Sequence, residues 1–194
     1  MLLILNNNFI NIESFSSTIK LDIRYATENN FLKKKIYKIA KAFLVKEVAE
    51  DLITVNNRLN EKGLGILLFD AYRPWSVTKM FWDETEEKDH KFLANPKTGS
   101  NHNRGCAVDI SLYDLKTQKE LLMPCEFDTF SEEAYTAFMN CSKEAIDNRH
   151  LLISEMEKDK KFKVHPYEYW HFDHISLNKY SVLDIDLVDI EIHS

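Results

Sequence analysis

The sequence contains little glycine and little proline, with four of each among 194 residues. Average usage of about 7% and 5% would give roughly 23 of the two together. The scarcity predicts that each glycine or proline lies where the backbone has a special task. Charged residues at 29% and aromatic residues at 12% argue against a disordered chain and indicate a globular protein.

The sequence also has few cysteines, no excess of basic residues and no long apolar run. The three cysteines are odd in number and no two form C-x-x-C, which argues against a disulfide framework or a cysteine-based zinc knuckle and makes a reducing cytoplasm the expected location. The net charge of −6 offers no electrostatic surface for nucleic acid. No apolar run approaches the roughly 20 residues of a membrane span, and the first residues lack the basic region and cleavage site of a signal peptide. These absences predict no nucleic-acid or membrane partner and leave the oligomeric state open.

The chain contains no repeat and no linker, which predicts one domain over residues 1–194. Apolar spacing of three and four predicts helices, and short apolar runs predict strands. The predicted helices cover residues 37–60, 75–87 and 131–158, the last with a break near Asn140, and the predicted strands cover 66–69, 106–112 and 163–175. Because these elements do not follow a repeating βαβ order, the sequence favours an α+β fold.

The segment 100–111 concentrates polar residues that a core would not choose. In a strand over 107–112, Asp109 and Ser111 share one face while the apolar residues share the other. His102 precedes Gly105, a residue that lets the chain bend so that His102 and Asp109 converge. The alternative is an ordinary entry into a strand with a solvated aspartate.

A second polar segment, 167–174, contains Glu168 and His171 among aromatic residues. A spacing of three puts them on opposite faces of a regular strand, so a shared site requires a turn or bulge near Pro166. The alternative is an aromatic strand whose polar residues face water. Together with the first segment, His102, Asp109 and His171 match the three nitrogen and oxygen ligands of a catalytic zinc, and Glu168 supplies a proton acceptor. Other divalent ions stay open.

Arg73 follows the buried strand 66–69. A guanidinium at this position can stabilise the oxyanion of a tetrahedral intermediate. A structural ion pair with Asp70 is the alternative.

Three motifs in this order resemble the zinc D-alanyl-D-alanine dipeptidases. They are D-A-Y-R-P at 70–74, S-x-H-x-x-G-x-A-x-D at 100–109 and E-Y-W-H at 168–171, and the likeness extends from about residue 22 to 174. The resemblance implies a single α+β domain of the hedgehog/D,D-peptidase type, with a central antiparallel sheet flanked by helices. It also implies a metallopeptidase that cleaves D-Ala-D-Ala into two D-alanines, with one zinc ion bound by His102, Asp109 and His171. Glu168 would be the general base and Arg73 would stabilise the transition state.

The resemblance assigns further residues to the substrate. Tyr25 and Asp128 match positions that meet the free amino group of the dipeptide, and Ser100 matches one near its carboxylate end. The sequence departs from the family at Tyr169, where tryptophan is usual, and in the run 123–126 before Asp128, for which we expect a different loop shape. Two alternatives remain: a peptidoglycan D,D- or L,D-carboxypeptidase acting on longer stem peptides, and a non-catalytic metal-binding protein on the same fold.

The remaining histidines are interpreted as surface or packing residues. His174, three residues after His171, is the strongest of them as a further ligand; the others are His90, His150, His165 and His193.

Overall fold

The structure, a computed structural model, describes residues 9–193, and the N-terminal segment in which no signal peptide is predicted lies outside them. Its strands are β1 (Phe9–Asn11), β2 (Ile19–Leu21), β3 (Phe43–Val45), β4 (Leu64–Asp70), β5 (Ala107–Asp114), β6 (Phe162–His165) and β7 (Glu168–His174). Its helices are α1 (Lys46–Asn60), α2 (Trp75–Glu84), α3 (Lys143–Glu157) and α4 (Leu187–His193). No helix within these residues is both long and apolar enough to cross a bilayer.

Five strands form the central sheet in the order β2-β4-β5-β7-β6. All neighbouring pairs are antiparallel except β2 with β4, which is parallel. Strands β1 and β3 form a separate antiparallel ribbon. The predicted α+β class is confirmed, and the parallel edge pair is the one departure from the expected antiparallel sheet.

Helix α1 packs against β4 with one apolar face. The apolar side chains on this face recur at helical spacing and are buried: Val48, Ala49, Leu52, Val55 and Leu59. The middle strands β4 and β5 are buried along nearly their whole length, which explains the continuous apolar run at 66–69 in β4. The core therefore contains β4, which ends at Asp70, and β5, which carries Asp109.

Two predicted helices begin later than expected. The prediction that a helix starts at Tyr37 is wrong, because Phe43–Val45 is fully buried as a strand against β1 and the helix starts at Lys46. The prediction of a helix from Ser131 is also wrong: only a 3-10 turn, Glu132–Ala134, forms there. Helix α3 starts after Ser142, whose hydroxyl accepts a hydrogen bond from the Ala145 amide at 3.1 Å.

The predicted strand 163–175 is a hairpin of β6 and β7 with an irregular register. Val164 pairs with Phe172, yet the next residue, His165, pairs with Glu168. Regular pairing would leave Glu168 at the tip of the hairpin; the shift draws it into the sheet. The expected irregularity beside Pro166 is therefore present.

Candidate metal centre and active site

Three neighbouring strands bring polar side chains into one row across the sheet. Asp109 of β5 pairs directly with Asp70 of β4 on one side and with His171 of β7 on the other. Directly paired residues extend from the same face of a sheet, so these three side chains lie side by side. The row is withdrawn from water, with Asp70 and Asp109 exposed by 1% and 3%.

His102 reaches this row from a short 3-10 helix, His102–Arg104, that precedes β5. The turn ends at Gly105, whose φ of 67° is in the left-handed region. A Cβ atom at Gly105 would also lie only 2.7 Å from the Phe9 ring. Glycine is therefore required for the bend that brings His102 over β5, as the sequence predicts.

His102, Asp109 and His171 form the only group of three or more potential metal ligands among residues 9–193, with ligand atoms within 4.8 Å of one another. The outer nitrogen of each ring is already engaged. Nδ1 of His102 lies 2.6 Å from the Ala71 carbonyl, and Nε2 of His171 lies 3.0 Å from the Asp173 carboxylate. The inner nitrogens, Nε2 of His102 and Nδ1 of His171, face each other at 3.1 Å.

This donor set fits a divalent cation. Because each outer nitrogen donates to its partner, the inner nitrogens are the ones that can offer lone pairs beside the Asp109 carboxylate. Burial favours neutral His171, but hydrogen bonds and the charges of Asp109 and Asp173 outweigh it and hold its pKa well above the usual value. A metal ion binding at Nδ1 would therefore compete with a proton for this nitrogen.

Glu168 stands outside the donor set but beside it. One of its carboxylate oxygens is 3.9 Å from Nδ1 of His171. Withdrawal from water raises the pKa of Glu168 to about 7, despite the opposing charge of His171. A carboxyl with a pKa near neutrality is suited to proton transfer at physiological pH.

Arg73 is buried beside the same row and is held from two directions. Its Nε and Nη2 lie 2.8 Å and 2.7 Å from one oxygen of Asp70, and Nη2 is 3.6 Å from Asp109. Its guanidinium also lies over the rings of Tyr25 and Phe81, at 5.3 Å and 4.9 Å. The ion pair with Asp70 is thus present, and it fixes a cation in the wall of the site.

Asp128 and Tyr25 form a second polar pair. The Tyr25 hydroxyl is 2.9 Å and 3.1 Å from the two oxygens of Asp128. Desolvation, followed by the charge of Asp109, raises the pKa of Asp128 well above its usual value. Asp128 also has a φ of 61°, an uncommon backbone conformation that is found preferentially at functional sites.

A cavity of about 230 Å³ joins all these groups. Its lining includes every residue that the sequence assigns to the site: Tyr25, Arg73, Ser100, His102, Asp109, Asp128, Glu168 and His171. Ser100 is buried, and its hydroxyl accepts a hydrogen bond from the His102 amide at 3.2 Å. The volume is below the range of about 300–1,000 Å³ typical of drug-sized ligands and fits a smaller molecule.

The peptidase M15 family model, described as D-ala-D-ala dipeptidase, matches residues 6–184. The chain belongs to this peptidase family. The D-alanyl-D-alanine dipeptidase of Enterococcus faecium is 30% identical over 175 residues, which cover 79% of this chain and 85% of that protein. The D-alanyl-D-alanine dipeptidase of Escherichia coli K12 is 29% identical over 155 residues, covering 80% and 78%. The structure of the LdcB LD-carboxypeptidase is similar at a TM-score of 0.46 and 19% identity, covering 77% of this chain and 69% of that one.

In this member of the family, two further histidines have different surroundings. His174 is buried away from the cavity, with Nε2 2.9 Å from Asp51 and Nδ1 2.7 Å from Ser176, so its interpretation as a packing residue is confirmed. His165 lines the cavity, which corrects its interpretation as a surface or packing residue. Its ring lies 5.6 Å from that of His171, because the register shift turns the end of β6 towards the site.

Two carboxylates support the site: Asp70, which the sequence offered only as the alternative ion-pair partner of Arg73, and Asp173, which the sequence analysis did not identify. Asp70 holds Arg73 and also accepts a hydrogen bond from the Tyr37 hydroxyl at 2.9 Å. Asp173 accepts from His171. The H-x-D spacing of His171 and Asp173 was the available signal, since residues two apart share a face of a strand.

Proposed function

We propose that this chain hydrolyses D-alanyl-D-alanine to two D-alanines and uses one zinc ion held by His102, Asp109 and His171. One observation carries the proposal: a single small cavity contains a metal donor set, a carboxyl with a pKa near neutrality and a second carboxyl, that of Asp128, which has no cationic hydrogen-bond partner among residues 9–193. Family membership supports the reaction.

The choice of zinc rests on the donor chemistry. Two imidazole nitrogens and one carboxylate, without a thiolate, are a ligand set found in catalytic zinc sites. Zinc bound there would lower the pKa of a water molecule to about 7 and polarise a carbonyl group.

Glu168 is the general base in this proposal. Its carboxylate lies beside the donor set without belonging to it, so it is free to take a proton from the attacking water and to pass it to the leaving amine. Arg73 stabilises negative charge on the carbonyl oxygen, because Asp70 already fixes its guanidinium and little reorganisation is needed.

Asp128 and Tyr25 are proposed to bind the ammonium group of the dipeptide, and Ser100 lies near its carboxylate end. A partly buried carboxylate forms a strong charge-assisted hydrogen bond with an ammonium group. An acylated peptide has no such charge and would leave Asp128 unpaired, which selects against longer substrates.

The three cysteines are free, in keeping with a cytoplasmic location.

The test compares two substrates on the same protein. Metal-free protein should be inactive, and zinc should restore cleavage of D-Ala-D-Ala with little cleavage of N-acetyl-D-Ala-D-Ala. Equal or faster cleavage of the acetylated peptide would identify a carboxypeptidase instead. No cleavage of either peptide by the zinc-loaded protein would refute the proposed reaction.

A further inference from the structure

Asp173 is hydrogen-bonded to His171, one of the proposed metal ligands, on the side away from the donor set. It follows His171 by two residues on β7 and therefore extends from the same face of the sheet. Its Oδ1 lies 3.0 Å from Nε2 of His171 and 2.9 Å from the side-chain amide nitrogen of Asn101. The side chain of Asp173 is 25% exposed and lies in the cavity wall.

The hydrogen bond to Asp173 determines which nitrogen of His171 can bind metal. With Nε2 donating to a carboxylate, Nδ1 is the nitrogen available to the cavity, and it faces Asp109 at 3.0 Å. A carboxylate behind a metal-bound imidazole also makes the ring a stronger donor. His102 differs, because its outer nitrogen meets the backbone carbonyl of Ala71, which no side-chain substitution removes.

Asp173 also connects two ligands that come from distant parts of the chain. Asn101 directly precedes His102, so its hydrogen bond ties the loop of one ligand to the strand of the other. The same carboxylate oxygen thus orients the His171 ring and limits the distance between His171 and His102.

We propose that Asp173 is a positioning residue for the metal: it selects Nδ1 of His171 as the ligand and holds the His171 strand against the His102 loop. This inference rests on the proposed metal site. It adds a residue outside the donor set that governs how tightly the metal is held.

The chain offers a matched control. Asp51 accepts a hydrogen bond from Nε2 of His174 at 2.9 Å, and its side chain is 28% exposed. It therefore forms an aspartate–histidine pair like that of Asp173 and His171, but outside the metal site. Zinc affinity should be measured by competition with a chromophoric chelator for the wild-type protein, Asp173→Ala and Asp51→Ala. The isosteric variant Asp173→Asn keeps the packing and replaces Asp173→Ala in the comparison if the alanine variant fails to fold.

We expect Asp173→Ala to weaken zinc binding about 10- to 100-fold and Asp51→Ala to leave it unchanged. Asp173→Asn, which keeps a neutral acceptor, should lie between wild type and Asp173→Ala. The absorption spectrum of bound cobalt should shift only in the Asp173 variants.

Each other outcome has a defined meaning. Wild-type protein that binds no zinc would refute the metal site itself. Wild-type protein that binds zinc, with Asp173 variants that bind it equally well, would refute the positioning role alone. Equal weakening by Asp173→Ala and Asp51→Ala would refute it too, since the loss would then come from general destabilisation.

Discussion

Replacing Glu168 by glutamine gives two independent measurements, one of the reaction rate and one of the stability of the fold. Glutamine has the shape of glutamate but does not take up a proton, so the water would lose its base while the metal ligands stay in place. Loss of a positioned general base typically costs about 10²- to 10⁴-fold in rate, or about 3–5 kcal/mol. We expect kcat to fall by this factor and zinc affinity to be unchanged.

The same substitution should stabilise the metal-free protein at high pH. In the fold the pKa of Glu168 rises from 4.5 to about 7, so the folded protein binds this proton more tightly than the unfolded chain does. The stability that the proton provides is complete below 4.5 and is lost as the pH rises through 7. At about 1.4 kcal/mol per pH unit, the loss reaches about 3 kcal/mol at pH 8.

Urea denaturation of both metal-free proteins at pH 5 and pH 8 measures this effect. Titrating groups that do not interact with Glu168 are common to the two proteins and cancel in the difference; His171 and Asp128, which do interact with it, contribute to the measured change. The advantage of Glu168→Gln should grow by about 2–3 kcal/mol between the two pH values. An advantage that is independent of pH would refute the view that Glu168 is held with a raised pKa, and unchanged turnover would refute its role as base.

Two further substitutions test the substrate contacts. Asp128→Asn should raise KM for D-Ala-D-Ala about 10- to 100-fold with a smaller change in kcat, because an amide cannot replace the charge-assisted bond; steady-state kinetics measure this, and an unchanged KM would contradict the ammonium contact. Arg73→Lys keeps the charge but loses the two-pronged contact with Asp70, so kcat should fall about 10²-fold with little change in KM. A fall in kcat matched by loss of zinc would instead indicate a structural role.

The sequence predicted the middle strands and the main helices because their apolar patterns are strong and local. It failed at Phe43–Val45, where Leu44 continues the helical spacing of α1 but the segment pairs with β1, a strand far away in the chain. It failed again after Ser131, where the acidic residues typical of a first helical turn form only a 3-10 turn, Glu132–Ala134.

The candidate site was more predictable than the fold around it, because metal ligation restricts residue type at His102, Asp109 and His171. Tyr25, Ser100 and Asp128 were assigned only through the family resemblance. All eight predicted residues line one cavity. Asp173 and His165 were not predicted as site residues for a physical reason. A polar residue at the end of a strand gives the same sequence pattern whether its side chain faces water or a ligand. Only the pairing of β5 with β7 and the register shift between β6 and β7 decide between these outcomes.

The register shift between β6 and β7 has a consequence for how such a protein can diverge. His171 is held from the other side, through its pairing with Asp109, and does not depend on β6. Glu168 does, since regular pairing with β6 would carry it to the tip of the hairpin. A short deletion that restored regular pairing would therefore move Glu168 away from the three proposed metal ligands without changing any of them. Under the proposed mechanism, this change in the shape of one backbone segment would be enough to turn the enzyme into a metal-carrying scaffold.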